Sequence, residues 1–185
     1  MALLGTAVAL SGCGQAGRLV VELTGEAPEG ETLRSVTVTV SQVDAQVAES
    51  EGGQEGWVTV GAQALELDLL RLLDDQRVSL GALDLSDGRV TQVRLFLDTS
   101  ARNEVVLRDG TTCRLDTREV SGAGTMVLHP FPGVDVEANN LTRVVLGFDV
   151  GESLERMGAC TYRLKPVITL VRVTREPLSA VNAGG

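Results

Sequence analysis

The chain has 185 residues, 43% hydrophobic and 3% aromatic, with a formal net charge of −9 at pH 7. That length suits one domain with short tails. The acidic balance repels phosphate backbones and anionic headgroups, which argues against nucleic acid as a partner.

The first informative segment is an uncharged apolar run, Ala2 to Leu10, closed by Ser11-Gly12-Cys13. It has the length of a secretory h-region and is far too short to span a bilayer. Small residues before a cysteine mark a lipoprotein signal, in which Cys13 carries the acyl chains. The first charged side chain is Arg18, so a basic n-region would have to come from an upstream start. The competing reading is a buried N-terminal strand with an incidental cysteine. Gly12-Cys13-Gly14-Gln15-Ala16-Gly17 also fits G-x-G-x-x-G, but the run after it, Arg18 to Thr24, is β-rich where the dinucleotide motif needs a helix. No cofactor is expected.

Period-two alternation then dominates. Val36, Val38 and Val40 alternate with hydroxyl residues, and the apolar phase switches at Val43, Ala45 and Val47. A parity switch inside one strand needs an extra residue, so a bulge is expected near Ser41-Gln42. A polar turn, Glu49 to Gly56, leads back through Trp57-Val58-Thr59-Val60 as a hairpin partner. Ala64 to Leu73 reads as a strand running into a short helical turn. Strands follow at 78–83 and 91–98, then a tight hairpin, 103–107 and 111–115, around Asp109-Gly110.

Residues 118–140 are the least regular. Leu141 to Val150 is a strong strand with Val144, Leu146 and Phe148 on one face, and one helical turn is expected through Glu152 to Arg156. The last strand joins Tyr162-Arg163-Leu164 to Val167–Val173 across Pro166, which places that proline at an edge or bulge.

Eight or nine short strands and one or two helical turns indicate an all-β fold, an antiparallel β-sandwich. The organisation expected is a signal peptide at 1–12, a lipidated linker at 13–17, the sandwich at 18–175 and a frayed tail at 176–185.

Three stretches carry a family resemblance: Trp57-Val58-Thr59-Val60 with Leu67-Asp68-Leu69-Leu70, Val90 to Leu95, and Leu164-Lys165-Pro166-Val167-Ile168. With Phe148-Asp149-Val150 they resemble, in order and spacing, the prokaryotic domain-of-unknown-function family 4382, over roughly residues 17–174. The resemblance implies an exported β-sandwich, often behind a lipoprotein signal, with no assigned activity and no catalytic residues to carry over.

The chemistry-bearing residues are few. With Cys13 acylated, Cys113 and Cys160 remain as an even pair in an oxidising compartment, and a disulfide between them is favoured over two buried thiols or a reactive one. His129, the sole histidine, sits in a proline-flanked loop with no nucleophile motif nearby. Asp74-Asp75 read as solvated turn charges, and Asp135, Glu137, Asn139 and Asn140 match no defined calcium loop. No metal site and no catalytic residue is expected. Trp57 and Tyr162 are the candidate ligand contacts, with packing as their alternative role.

The function expected is therefore a non-enzymatic, lipid-anchored protein of the bacterial cell envelope whose sandwich binds a partner. A glycan- or cell-wall-binding module is the alternative, and a hydrolase the weaker one. Gly14 after Cys13, instead of an acidic residue, favours the outer membrane under the sorting habit of enteric bacteria.

Overall fold

The computed structural model describes residues 16–26, 33–48, 55–73, 76–118, 125–127 and 132–178. Cys13, Asp74-Asp75 and His129 lie outside the described residues.

Among those residues, fourteen strands form two sheets. The smaller sheet has the order β14-β11-β1-β5, where β1 is Gly17–Glu26, β5 Val78–Leu85, β11 Asn140–Asp149 and β14 Ile168–Pro177. The larger is organised around β2 (Leu33–Ala48), sixteen residues long. On one side of β2, β3 (Gly56–Gly61) and β4 (Leu65–Asp68) pair with successive stretches of it. On the other side, β6 (Gly88–Leu97) and β7 (Glu104–Leu107) lie end to end in the same way. Beyond β6 come β9 (Thr125–Val127) and β10 (Val134–Val136). Beyond β7 the sheet continues through β8 (Thr112–Asp116), β13 (Thr161–Leu164) and β12 (Leu154–Gly158).

The inner faces meet in one apolar core: Leu19, Val21 and Leu23 of β1 and Val144, Leu146 and Phe148 of β11 against the valines of β2 and Val93, Leu95 and Leu97 of β6. This is the layered burial that alternating strands require. The sheets approach closely where β3 meets β5. A Cβ on Gly81 would sit 2.5 Å from the Val60 carbonyl oxygen, and one on Gly61 would sit 2.3 Å from that of Leu80. Only glycine allows backbones this close.

The expected bulge is present. Val40 pairs with Leu97 and Gln42 with Phe96, leaving Ser41 as the extra residue. Its hydroxyl donates to the Phe96 carbonyl at 3.2 Å, so the interrupted ladder keeps a partner there. The shift of parity buries both halves of the strand's apolar set: Val36, Val38 and Val40 before the bulge, Val43, Ala45 and Val47 after it. The strand-to-turn reading of 64–73 also holds, with β4 followed by a 3₁₀ turn, Leu69–Leu72. Asp68 caps that turn, its Oδ1 accepting from Leu70 N at 3.2 Å and from Val36 N at 3.1 Å.

Several expectations need correction. The sheets are mixed, since β1 runs parallel to β11 and β13 parallel to β8. The helical turn, Val150–Ser153, starts earlier than expected because Asp149 caps it, accepting from Glu152 N at 2.9 Å. Leu154, Glu155 and Arg156 instead form β12, where Glu155 lies beside Arg163 and pairs with Lys165 at 2.6 Å. Tyr162–Leu164 and 167–173 do not form one interrupted strand, because β13 and β14 belong to different sheets. Pro166 lies in the crossing between them. The amides on either side of it, Lys165 and Val167, both donate to Ser153 at 2.8 Å, so the residue lacking an N–H sits where no ladder is needed. Strand β14 continues through Glu176 and Pro177, paired with Leu141 and Asn140.

Candidate functional site

Downstream of the Ser41 bulge, Gln42, Asp44 and Gln46 of β2 face away from the core. Strand pairing sets them into three rows with the neighbouring strands. Gln46 stands between Trp57 of β3 and Gln92 of β6, Asp44 between Thr59 and Arg94, and Gln42 beside Phe96. Further bulges border this grid. Val60 is the extra residue on β3, and Thr91 is the extra residue on β6, its hydroxyl 3.4 Å from the Gln46 carbonyl. Bulges are a means of re-aiming side chains next to functional sites.

Electrostatics hold the grid together. Arg94 reaches from β6 across β2, its guanidinium 4.0 Å from the centroid of Trp57 and 5.0 Å from that of Phe96. Its Nη2 and Nε donate to Asp44 Oδ2 at 2.8 and 3.0 Å, while Gln42 Nε2 donates to Asp44 Oδ1 at 2.7 Å. Asp44 is only 3% exposed although it lies on the solvent side of the sheet, because this cation roofs it. Burying a carboxylate requires such pairing. Trp57 is left 37% exposed, with the Arg94 guanidinium against one face of its ring. Neither Gln46 nor Gln92 makes a side-chain hydrogen bond to a described residue.

Trp57, one of the two candidate contacts, is thus on an open face. Tyr162 is not. It is 2% exposed, its ring inside the core from β13, so it cannot meet a ligand and takes the packing role. Sequence reasoning missed Asp44, Arg94 and Phe96. A signal for them existed: in 91–98, Phe96 falls in the polar phase with Gln92 and Arg94 while Val93, Leu95 and Leu97 fill the apolar phase.

Cys113 and Cys160 are joined by a disulfide, with 4.7 Å between their Cα atoms. It ties β8 to the turn before β13, beside the parallel pairing of Arg114 with Thr161. The loop reading of Asp135–Asn140 gains structural roles: Asp135 pairs with Arg89 at 2.9 Å, and Asn140 Nδ2 donates to Glu137 Oε2 at 3.3 Å. Among the described residues no three His, Cys, Asp or Glu side chains are grouped to hold a metal.

The larger concavities lie elsewhere on the same sheet. One, of about 620 Å³, is bordered by Arg34, Thr37, Glu66, Asp68 and Arg71. Another, of about 390 Å³, holds Arg102, Arg114, Asp116 and Arg118. In the second, Arg118 donates to both Asp116 oxygens, at 2.9 and 2.6 Å, and holds that carboxyl well below the usual range. Charged side chains border both concavities.

These features define a two-sheet, all-β domain with a polar outer face and one aromatic–cation cluster. The chain belongs to the family described as Domain of unknown function (DUF4382), whose model it matches over residues 16–166. No curated protein matches it. Among solved structures it is similar, at 11% identity and a TM-score of 0.29, to one titled a "putative cell adhesion protein" from Bacteroides ovatus. The alignment covers 86% of this chain and 44% of that one. No helix among the described residues is long and apolar enough to cross a membrane.

Proposed function

We propose that this domain is a non-catalytic binding module of the bacterial cell envelope, held at the membrane through Cys13, whose contact surface is the outer face of β3, β2 and β6. The observation that supports it is the Trp57–Arg94–Asp44 cluster. An exposed aromatic ring is held against a guanidinium that is itself fixed by a buried carboxylate. Pre-orientation lowers the ordering entropy that binding must offset. Uncommitted amides beside the ring add hydrogen-bonding capacity.

The test separates anchor from face. Metabolic palmitate labelling of wild type against Cys13→Ala reads the anchor, and equal labelling refutes it. The unacylated Cys13→Ala chain is then mixed with purified envelopes of the producing cell. Co-sedimentation is expected, and Trp57→Ala in the same background abolishes it. Undiminished co-sedimentation of the Trp57→Ala chain would remove this face from the account.

A further inference from the structure

We infer that the ligand of this face is an uncharged glycan chain, an assignment that rests on the proposed contact surface and narrows it. Charge is the first argument. The grid holds one cation and one anion, Arg94 and Asp44, and they are spent on each other at 2.8 Å. What remains toward solvent is neutral: the Trp57 and Phe96 rings, the Gln46 and Gln92 amides and the Thr59 hydroxyl. A charged ligand would find no uncancelled counter-charge within these three rows, whereas hydroxyl groups need no counter-charge.

Hydrogen-bonding chemistry is the second. A primary amide presents both donors and an acceptor. Gln46 and Gln92 are both half-buried, and neither is engaged with a described residue. They stand in register with Trp57 across three neighbouring strands. At roughly 4.8 Å per strand, the row spans about 10 Å, the scale of two sugar rings lying on a sheet. A ring stacked on Trp57 would place hydroxyls over the amides, which can give and accept at once.

Exposed apolar surface is too scattered for a protein partner. A stable protein interface buries about 800 Å² on each side around an apolar centre. The exposed large hydrophobic residues of the described chain are Trp57, Met157, Val167 and Val171. Met157 is on β12 at the far end of the sheet, Val171 is on the other sheet, and Val167 is in the crossing that leads to it. Near Trp57 on this face the half-buried Phe96 lies across Arg94, and two rings parted by a guanidinium make no continuous apolar centre. Aromatic rings parted by a guanidinium and flanked by amides suit a sugar better.

The experiment is native affinity electrophoresis of the Cys13→Ala chain through gels containing soluble neutral polysaccharides (glucan, mannan, galactan) or acidic polygalacturonate. Retardation by at least one neutral polymer and by none of the acidic ones is expected. Gln92→Ala should weaken it roughly tenfold, the worth of one hydrogen bond of about 1.4 kcal/mol, and Trp57→Ala should abolish it. Unchanged thermal unfolding of Gln92→Ala keeps that variant interpretable. Retardation by the acidic polymer alone, or by none, overturns the glycan assignment. If Trp57→Ala still abolishes envelope co-sedimentation in that case, the face stands and only its ligand class falls. If it does not, both fall.

Discussion

Removing Arg94 tests whether the cluster is built as described. In Arg94→Met, Asp44 keeps its bond from Gln42 and part of its cover but loses two charge-assisted donors, at 2.8 and 3.0 Å. The Asp44 side chain is 4% exposed with the guanidinium in place, so its removal leaves a carboxylate that methionine screens from water only in part. Two unit charges about 4 Å apart at an effective dielectric near 20 interact by about 4 kcal/mol. Breaking a buried pair by deleting one partner costs about 3–5 kcal/mol. The two figures agree in scale and set an upper bound, so Arg94→Met should lose up to about 3–5 kcal/mol in urea unfolding. Asp44→Asn with Arg94→Met should recover a large part of that loss, because no buried charge is left unpaired. Trp57 is the only tryptophan, so its emission reports the same event locally. Its spectrum should shift in Arg94→Met as the guanidinium leaves the ring. A loss below about 1 kcal/mol, the level of an exposed ion pair, with unchanged emission would refute the reasoning.

The disulfide closes a separation of 47 residues, for which chain entropy gives about 4 kcal/mol. Cys113→Ala with Cys160→Ala should lower stability by that order, with hydrogen exchange rising first in β12 and β13; uniform exchange across both sheets would contradict its role as a local tie. Gly81→Ala should destabilise by forcing β3 from β5, and a thermal midpoint within one degree of wild type would show that the contact is not tight. Acid should also matter. Hydrogen bonds from Ser100 hold Asp98 below its ordinary value, that of Thr111 does the same for Asp109, and Lys165 does so for Glu155. A depressed folded-state pKa stabilises above the unfolded value, near 4 for these groups, and that contribution fades as pH falls below it. The stability gap between wild type and Asp98→Asn should therefore narrow below about pH 4; a gap constant from neutral to acid pH contradicts it.

Local patterning made much of the fold legible. The parity switch in β2 required an extra residue, and Asp109-Gly110 required a tight turn; both are local constraints on one strand or one hairpin. Pairing across distance was not legible. Nothing in the spacing of Tyr162 and Val167 says that the chain changes sheets at Pro166, because Ser153, which accepts from both flanking residues, lies far back in the sequence. The parallel pairings of β1 with β11 and β8 with β13 were hidden for the same reason. The site was half legible. Trp57 stood out as a lone tryptophan, but its value depends on Arg94, two strands away, and on Asp44, whose burial only the assembled sheet reveals. Tyr162 looked equivalent as a residue type and differs only in the face its strand presents.

Trp57 is the proposed contact residue, and its emission is the most direct measure of that role. Solubilised envelope material titrated into the unacylated Cys13→Ala chain should produce a saturable shift of the Trp57 spectrum over the same range in which the chain co-sediments with envelopes. Co-sedimentation with no change in that spectrum would place the ligand elsewhere on the molecule and contradict the account.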